Sequence, residues 1–158
     1  MIGDEIYSGR LRIRACTLIT ENDKLLLVKQ RVPTRSHPVW LPPGGEILIG
    51  ESAVHAAQRE TQEETGLTSK ISRLAAIHEF IESPYHAIEL YFLAARTGGE
   101  LIAGKDPELS DEHQQILTCR FIDFNELAKI DLIPGFLKNR WSEILINNQG
   151  VIHVGLEG

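Results

Sequence analysis

Three glutamates carry most of the chemistry this sequence offers. Glu60, Glu63 and Glu64 fall within Arg59-Glu60-Thr61-Gln62-Glu63-Glu64, and an i, i+3, i+4 spacing puts all three on one face of a helix. Like charges at that spacing repel by roughly 0.2–0.5 kcal/mol per pair. Such a face is either plainly solvated or balanced by a cation. Magnesium is a natural candidate, because it takes hard oxygen ligands and is usually held by a few carboxylates together with substrate phosphates. Arg59 stands i, i+4 from Glu63 and can pin a carboxylate by an ion pair. Upstream, Gly44-Gly45 lets the backbone approach a ligand closely and offers carbonyls to a metal, and Glu51 lies near the helix start. A hard-metal cluster on a helix beside a glycine-rich turn points to phosphoryl or pyrophosphoryl chemistry.

Competing groups are weaker. Glu21-Asn22-Asp23 reads as a turn, and none of the 6 histidines has metal-site spacing with another; His55 sits among helix-favouring alanines. The two cysteines, Cys16 and Cys119, lie among strand-forming residues. They could pair, but two buried free thiols are favoured, which suits a reducing cytoplasm. A net charge of −6 argues against a nucleic acid polymer as partner. It leaves room for a small anionic nucleotide, since a bound metal inverts the local field. No apolar signal segment or membrane-length run occurs, so a cytoplasmic location and no membrane partner are expected.

The elements that must position these groups follow from patterning. At 158 residues with 42% hydrophobic content, the chain is expected to form one folded domain over 1–158. Residues 11–20 and 24–30 read as a hairpin, and 31–38, with two prolines, as loop. A short strand is expected at 46–49. A helix should run from Glu51 or Ser52 to Thr65, with Gly66 as its stop. Ile71–Phe80 and Ala87–Ala95 read as strands, 97–115 mostly as loop, and Cys119–Phe124 as a core strand. A short helix over 125–130 follows, capped by Asp123, then a helix over 135–147 with Pro134 at its first position. The tail at 151–154 is strand-like and could form an edge strand or touch a second subunit, giving a homodimer.

The segment from Gly45 to Leu67 resembles the signature of the Nudix hydrolase family, the MutT-like nucleotide pyrophosphohydrolases. Five residues separate Gly45 from Glu51, seven more lead to Arg59-Glu60, and Glu63-Glu64, Thr65, Gly66 and Leu67 close the pattern. Every glycine and charged position agrees. Thr61 departs, standing where the family has an apolar residue; its hydroxyl is expected to bond the carbonyl one turn back. The resemblance implies an α/β fold, an α/β/α sandwich with a mixed central sheet and a loop–helix–loop catalytic motif.

It also implies a metal site. The carbonyl of Gly44 and the carboxylates of Glu60, Glu63 and Glu64 would hold magnesium, with manganese as a substitute. Arg59 and Glu51 would support the site, and Glu63 or a downstream acid, Glu112 ahead of Glu108, would act as base. Arg31, Arg35, His37, Trp40 and Tyr85 are candidates for reading the rest of a small nucleotide substrate, although Trp40 suits a core or supporting role somewhat better, and Glu89 would face away from its apolar neighbours toward the site. The reaction implied is hydrolysis of the diphosphate in a nucleoside diphosphate linked to a moiety X, such as ADP-ribose, a nucleotide sugar or a dinucleoside polyphosphate. The alternatives are a nucleoside triphosphate pyrophosphatase and, in another class, a nucleotide-binding module without catalysis.

Overall fold

A computed structural model describes residues 6–104, 115–146 and 150–155. β1 (Leu11–Glu21) and β2 (Lys24–Gln30) form the expected hairpin. Asn22 and Asp23 take φ of 50° and 60° at its tip, the left-handed pair that a two-residue turn between twisted strands requires. β1 lies between β4 (Gly44–Glu46), antiparallel, and β6 (Tyr85–Gly99), parallel. β6 pairs antiparallel with β5 (Leu67–Glu82), which carries β8 (Ile152–Val154) in parallel at its other side. β2 lies between β3 (Val39–Leu41) and β7 (Ile116–Asp123), both antiparallel.

The mixed sheet is covered on two faces, as strand alternation dictates. Ala15 of β1 and Phe92 of β6 pack against Ala56 and Ala57 of α1 (Ala53–Thr65). Their neighbours Cys16, Leu18 and Tyr91 turn the other way, toward Phe136, Leu137 and Ile144 at α2 (Leu137–Ile146). Cys16 and Cys119 are both free and buried.

α1 is bounded as its sequence suggests. The Ser52 side chain accepts the His55 N–H at 3.1 Å, the N-cap bond. Gly66 ends the helix at φ 77°, its N–H donated to Gln62 O. A Cβ there would also collide with the Glu100 carbonyl, so glycine is required twice over. Thr61 is fully buried and donates to the Ala57 carbonyl at 2.7 Å, the expected bond one turn back.

Several boundaries differ from expectation. The strand near residue 46 is Gly44–Glu46 rather than 46–49, because Leu48 and Ile49 leave β1 for solvent and the Glu51 carboxylate takes the Leu48 N–H. β5 begins at Leu67, four residues early, and β6 continues through Gly99, because the two strands pair along their whole length. The helix after β7 is a 3-10 helix, Phe124–Lys129, capped by Asp123. α2 starts at Leu137, since Pro134 and Gly135 first form a turn that sinks Phe136 against the rings of His78 and Tyr91. The tail at 152–154 is an edge strand of its own sheet.

Candidate active site

A cleft of about 900 Å³ opens where β1, β4, β5 and β6 face the loop after β2. Arg59, Glu60, Glu63 and Glu64 enter it from α1, and Gly44, Gly45 and Glu46 from β4. β4 pairs with β1 at Cys16↔Gly44 and Ala15↔Gly45, which brings the diglycine beside the last two turns of α1. A Cβ on Gly45 would run into the Glu60 carboxylate, so glycine is what lets that carboxylate lie against the backbone.

Arg59 organises the acids. Its Nε and Nη2 donate to the two oxygens of Glu51 at 2.7 and 3.1 Å, and its Nη1 to Glu60 at 2.8 Å and Glu63 at 3.2 Å. Nη2 also reaches the Glu46 carbonyl at 3.2 Å, tying α1 to β4. Glu51 thus stands behind Arg59 and outside the cleft lining.

Glu64 is the most buried acid of the group, 8% exposed. The Gly44 backbone favours its charge, yet its Oε2 is buried without a partner. Burial, reinforced by the charge of Glu60, pushes its carboxyl well above the usual range, against the pull of Arg14. Burial likewise raises Glu60, with Arg59 pulling back. An orphaned buried carboxylate oxygen beside a second carboxylate and a backbone turn suits a hard cation. Among the described residues no three His, Cys, Asp or Glu side chains are gathered closely enough to hold a metal by themselves. A complete shell would need the Gly44 carbonyl and oxygens from water or substrate, the usual situation for magnesium.

The cleft floor holds residues whose roles the sequence leaves open. Arg14 donates to Glu89 at 2.6 Å and to the Gly44 carbonyl at 3.3 Å. Glu89 also accepts from Tyr91 at 2.8 Å and lies 3.0 Å from His78 Nδ1. Burial opposes its charge, but His78, Arg14 and Tyr91 outweigh burial and hold its carboxyl down at about 2. The only sequence signal for this group was the alternation of Arg12 and Arg14 with apolar residues, and of Glu89 with Ile88 and Leu90. Cys16 lines the cleft too, but burial pushes its thiol up to about 12, which leaves it protonated and not a nucleophile.

The remaining candidates divide. Arg31, Arg35 and Tyr85 line the cleft, Arg35 paired with Glu82 at 3.3 Å. His37 pairs with Asp131 on an exposed surface and lies off the cleft lining. Trp40 is 5% exposed, in the core with Leu27 and Leu132, with Arg120 and Lys29 near its ring. That burial corrects the stacking role considered for Trp40. Glu108 and Glu112 lie outside the described residues.

Comparison with known proteins bears on the family and the fold. The NUDIX domain model matches residues 10–139. The ADP-ribose pyrophosphatase of Methanocaldococcus jannaschii is 30% identical over 118 residues, covering 72% of this chain and 62% of that protein. The 8-oxo-dGDP phosphatase NUDT18 of Mus musculus is 32% identical over 111 residues, covering 67% of this chain and 33% of its own length. The chain therefore spans less than two thirds of either relative. A NUDIX hydrolase from Nitrosomonas europaea superposes with a TM-score of 0.73 over 89% of this chain and 92% of that one, at 17% identity, a likeness of fold. No helix among the described residues is long and apolar enough to cross a membrane. With its signature helix, its α/β/α sandwich and a domain match over most of its length, the chain belongs to the Nudix hydrolase family.

Proposed function

We propose that the protein hydrolyses the diphosphate linkage of a nucleoside diphosphate joined to a moiety X, releasing a nucleoside monophosphate and X-phosphate. The observation that carries this reading is the unpartnered, buried Oε2 of Glu64 beside Glu60 and the Gly44 turn, at the edge of a cleft large enough for a nucleotide. The Gly44 carbonyl, Glu60, Glu64 and Glu63 would hold magnesium, or manganese in its place. When bound, such an ion offsets phosphate charge and makes water a better nucleophile at neutral pH.

The chain's own residues have distinct tasks. Arg59 holds Glu60 and Glu63 in place and is itself held by Glu51. Glu63, the more exposed of the helix carboxylates, is a candidate to accept the proton of the attacking water; Glu112 is the candidate from the loop. Arg31, Arg35 and Tyr85 line the cleft as groups that would contact the substrate beyond the linkage. The two curated relatives described above are an ADP-ribose pyrophosphatase and an 8-oxo-dGDP phosphatase, both acting on diphosphate-containing nucleotides by name. A panel of ADP-ribose, nucleotide sugars, dinucleoside polyphosphates and nucleoside triphosphates, incubated with magnesium and resolved by anion exchange, tests the reading. Nucleoside monophosphate with X-phosphate is the expected product pair. Selective release of inorganic pyrophosphate from triphosphates would replace this reading with a triphosphate pyrophosphatase. Tight nucleotide binding with no turnover would replace it with a binding module.

A further inference from the structure

β1 presents a row of cations of which only Arg14 touches the glutamate site. Arg10, just before the strand, and Arg12 and Arg14 within it all line the cleft. Their two-residue steps space them about 7 Å apart along the chain. Arg14 is matched by Glu89. Arg10 and Arg12, by contrast, share one acid. Glu46 accepts from both Nη atoms of Arg10 and, at 3.2 Å, from Nε of Arg12, so among the described residues two positive charges meet one negative.

Arg12 cannot disperse that surplus into solvent. Its side chain is only 18% exposed, and the Tyr7 ring lies 4.3 Å from its guanidinium carbon. Burial, then the like charge of Arg14, lowers its pKa from the ordinary value. Its two Nη groups make no hydrogen bond among the described residues. A partly desolvated guanidinium with a shared counter-ion is the mirror image of the glutamate cluster, and it is stabilised when an anion arrives. Its open fork fits phosphate oxygens. Elsewhere in the cleft Arg59 is taken by Glu51, Glu60 and Glu63, and Arg35 by Glu82. Arg31 is the one lining guanidinium with no acid beside it among the described residues, so its substitution tests whether the anion is held there instead.

We propose that Arg10 and Arg12, backed by Arg14, form a second anion subsite that takes a substrate phosphate lying beyond the linkage that is cut. This rests on the diphosphate hydrolysis proposed above and narrows it. Either X carries its own phosphate, or the chain joining nucleoside to X holds three or more phosphates.

Inorganic tripolyphosphate is the direct probe, titrated calorimetrically at low salt in EDTA so that no metal bridges it to the glutamates. One-to-one binding is expected. Arg12→Met should weaken it by about tenfold or more, the size of a charge-assisted contact, and Arg12→Lys should restore part of the loss. Glu46→Gln should tighten binding several-fold, the opposite of what general damage would do, because the arginines lose their shared counter-ion. Thermal melts establish that each variant is folded, and Arg12→Lys carries the test if Arg12→Met does not fold. Equal affinities in wild type, Arg12→Met and Glu46→Gln overturn the subsite, as does a loss confined to Arg31→Met. In turnover, the kcat/KM ratio of diadenosine tetraphosphate to diadenosine diphosphate should fall in Arg12→Met, and an unchanged ratio overturns the narrowing. A protein that binds tripolyphosphate in this pattern yet hydrolyses nothing keeps the subsite and loses the hydrolase reading, so the two failures are distinct.

Discussion

Arg59 meets Glu51 through a two-pronged ion pair, Nε to one carboxylate oxygen at 2.7 Å and Nη2 to the other at 3.1 Å. The fork orients the remaining nitrogen toward Glu60 and Glu63. Lysine keeps the charge and loses the fork. Arg59→Lys should therefore lower kcat by about 10–100-fold, as loss of an outer support does, while the melting temperature changes little because Arg59 is 29% exposed. Steady-state kinetics beside a thermal melt decides it; unchanged kcat reduces the fork to a surface ion pair.

Glu64→Gln separates metal binding from folding. The buried carboxylate oxygen without a partner and the neighbouring charge of Glu60 disfavour the ionised form. The amide removes that charge, so metal-free protein should melt at the same temperature or higher. Manganese affinity, followed by calorimetry, should fall by about tenfold or more, as expected for losing one charged contact. Unaltered affinity would make the helix acids structural.

Gly45→Ala adds one methyl at the position where it would meet the Glu60 carboxylate. Glu60 is tied to Arg59 and cannot swing aside freely. A displacement of about 1 Å at a reacting group costs on the order of 100-fold in rate, and that loss is expected here with the fold intact by circular dichroism. Full activity would mean that Glu60 need not lie against the turn.

The hydroxyls of Thr17 and Thr61 lie 2.7 Å apart, both residues fully buried. Thr61 already donates to Ala57 O, so Thr17 donates to Thr61. Thr61→Val removes the acceptor and leaves Thr17 orphaned, at a cost of about 1–3 kcal/mol. Adding Thr17→Val should recover part of it. Urea unfolding of the two singles and the double measures the coupling; strict additivity would exclude the pair.

Glu89 sets an acid limit on stability. Its carboxyl is held at about 2 in the fold against an ordinary 4.5. Between those values the unfolded chain binds the proton and the folded chain does not, so falling pH favours unfolding. The contribution is complete above the ordinary value and lost as pH drops toward 2. Glu89→Gln should be less stable at pH 7 by about 3 kcal/mol, since Arg14 loses its buried partner, and should show a shallower fall in urea midpoint between pH 5 and 2. Parallel pH curves for the two proteins would contradict the assignment.

Local spacing by itself determined the helix, its Ser52 and Gly66 ends, the hairpin and the family signature, because caps, turns and periodicities are set by residues a few positions apart. It also carried the link between Arg59 and its acids. The partners of Glu89, the shared counter-ion of Arg10 and Arg12, and the burial of Trp40 were decided only by tertiary structure. Each depends on strands far apart in sequence coming into register: β1 beside β6 sets Arg14 against Glu89, and β1 beside β4 sets Arg10 and Arg12 against Glu46. An alternating arginine looks the same in sequence whether it faces solvent or a cleft. Only the pairing of β1 with β4 and β6 set the charges of that face against their partners.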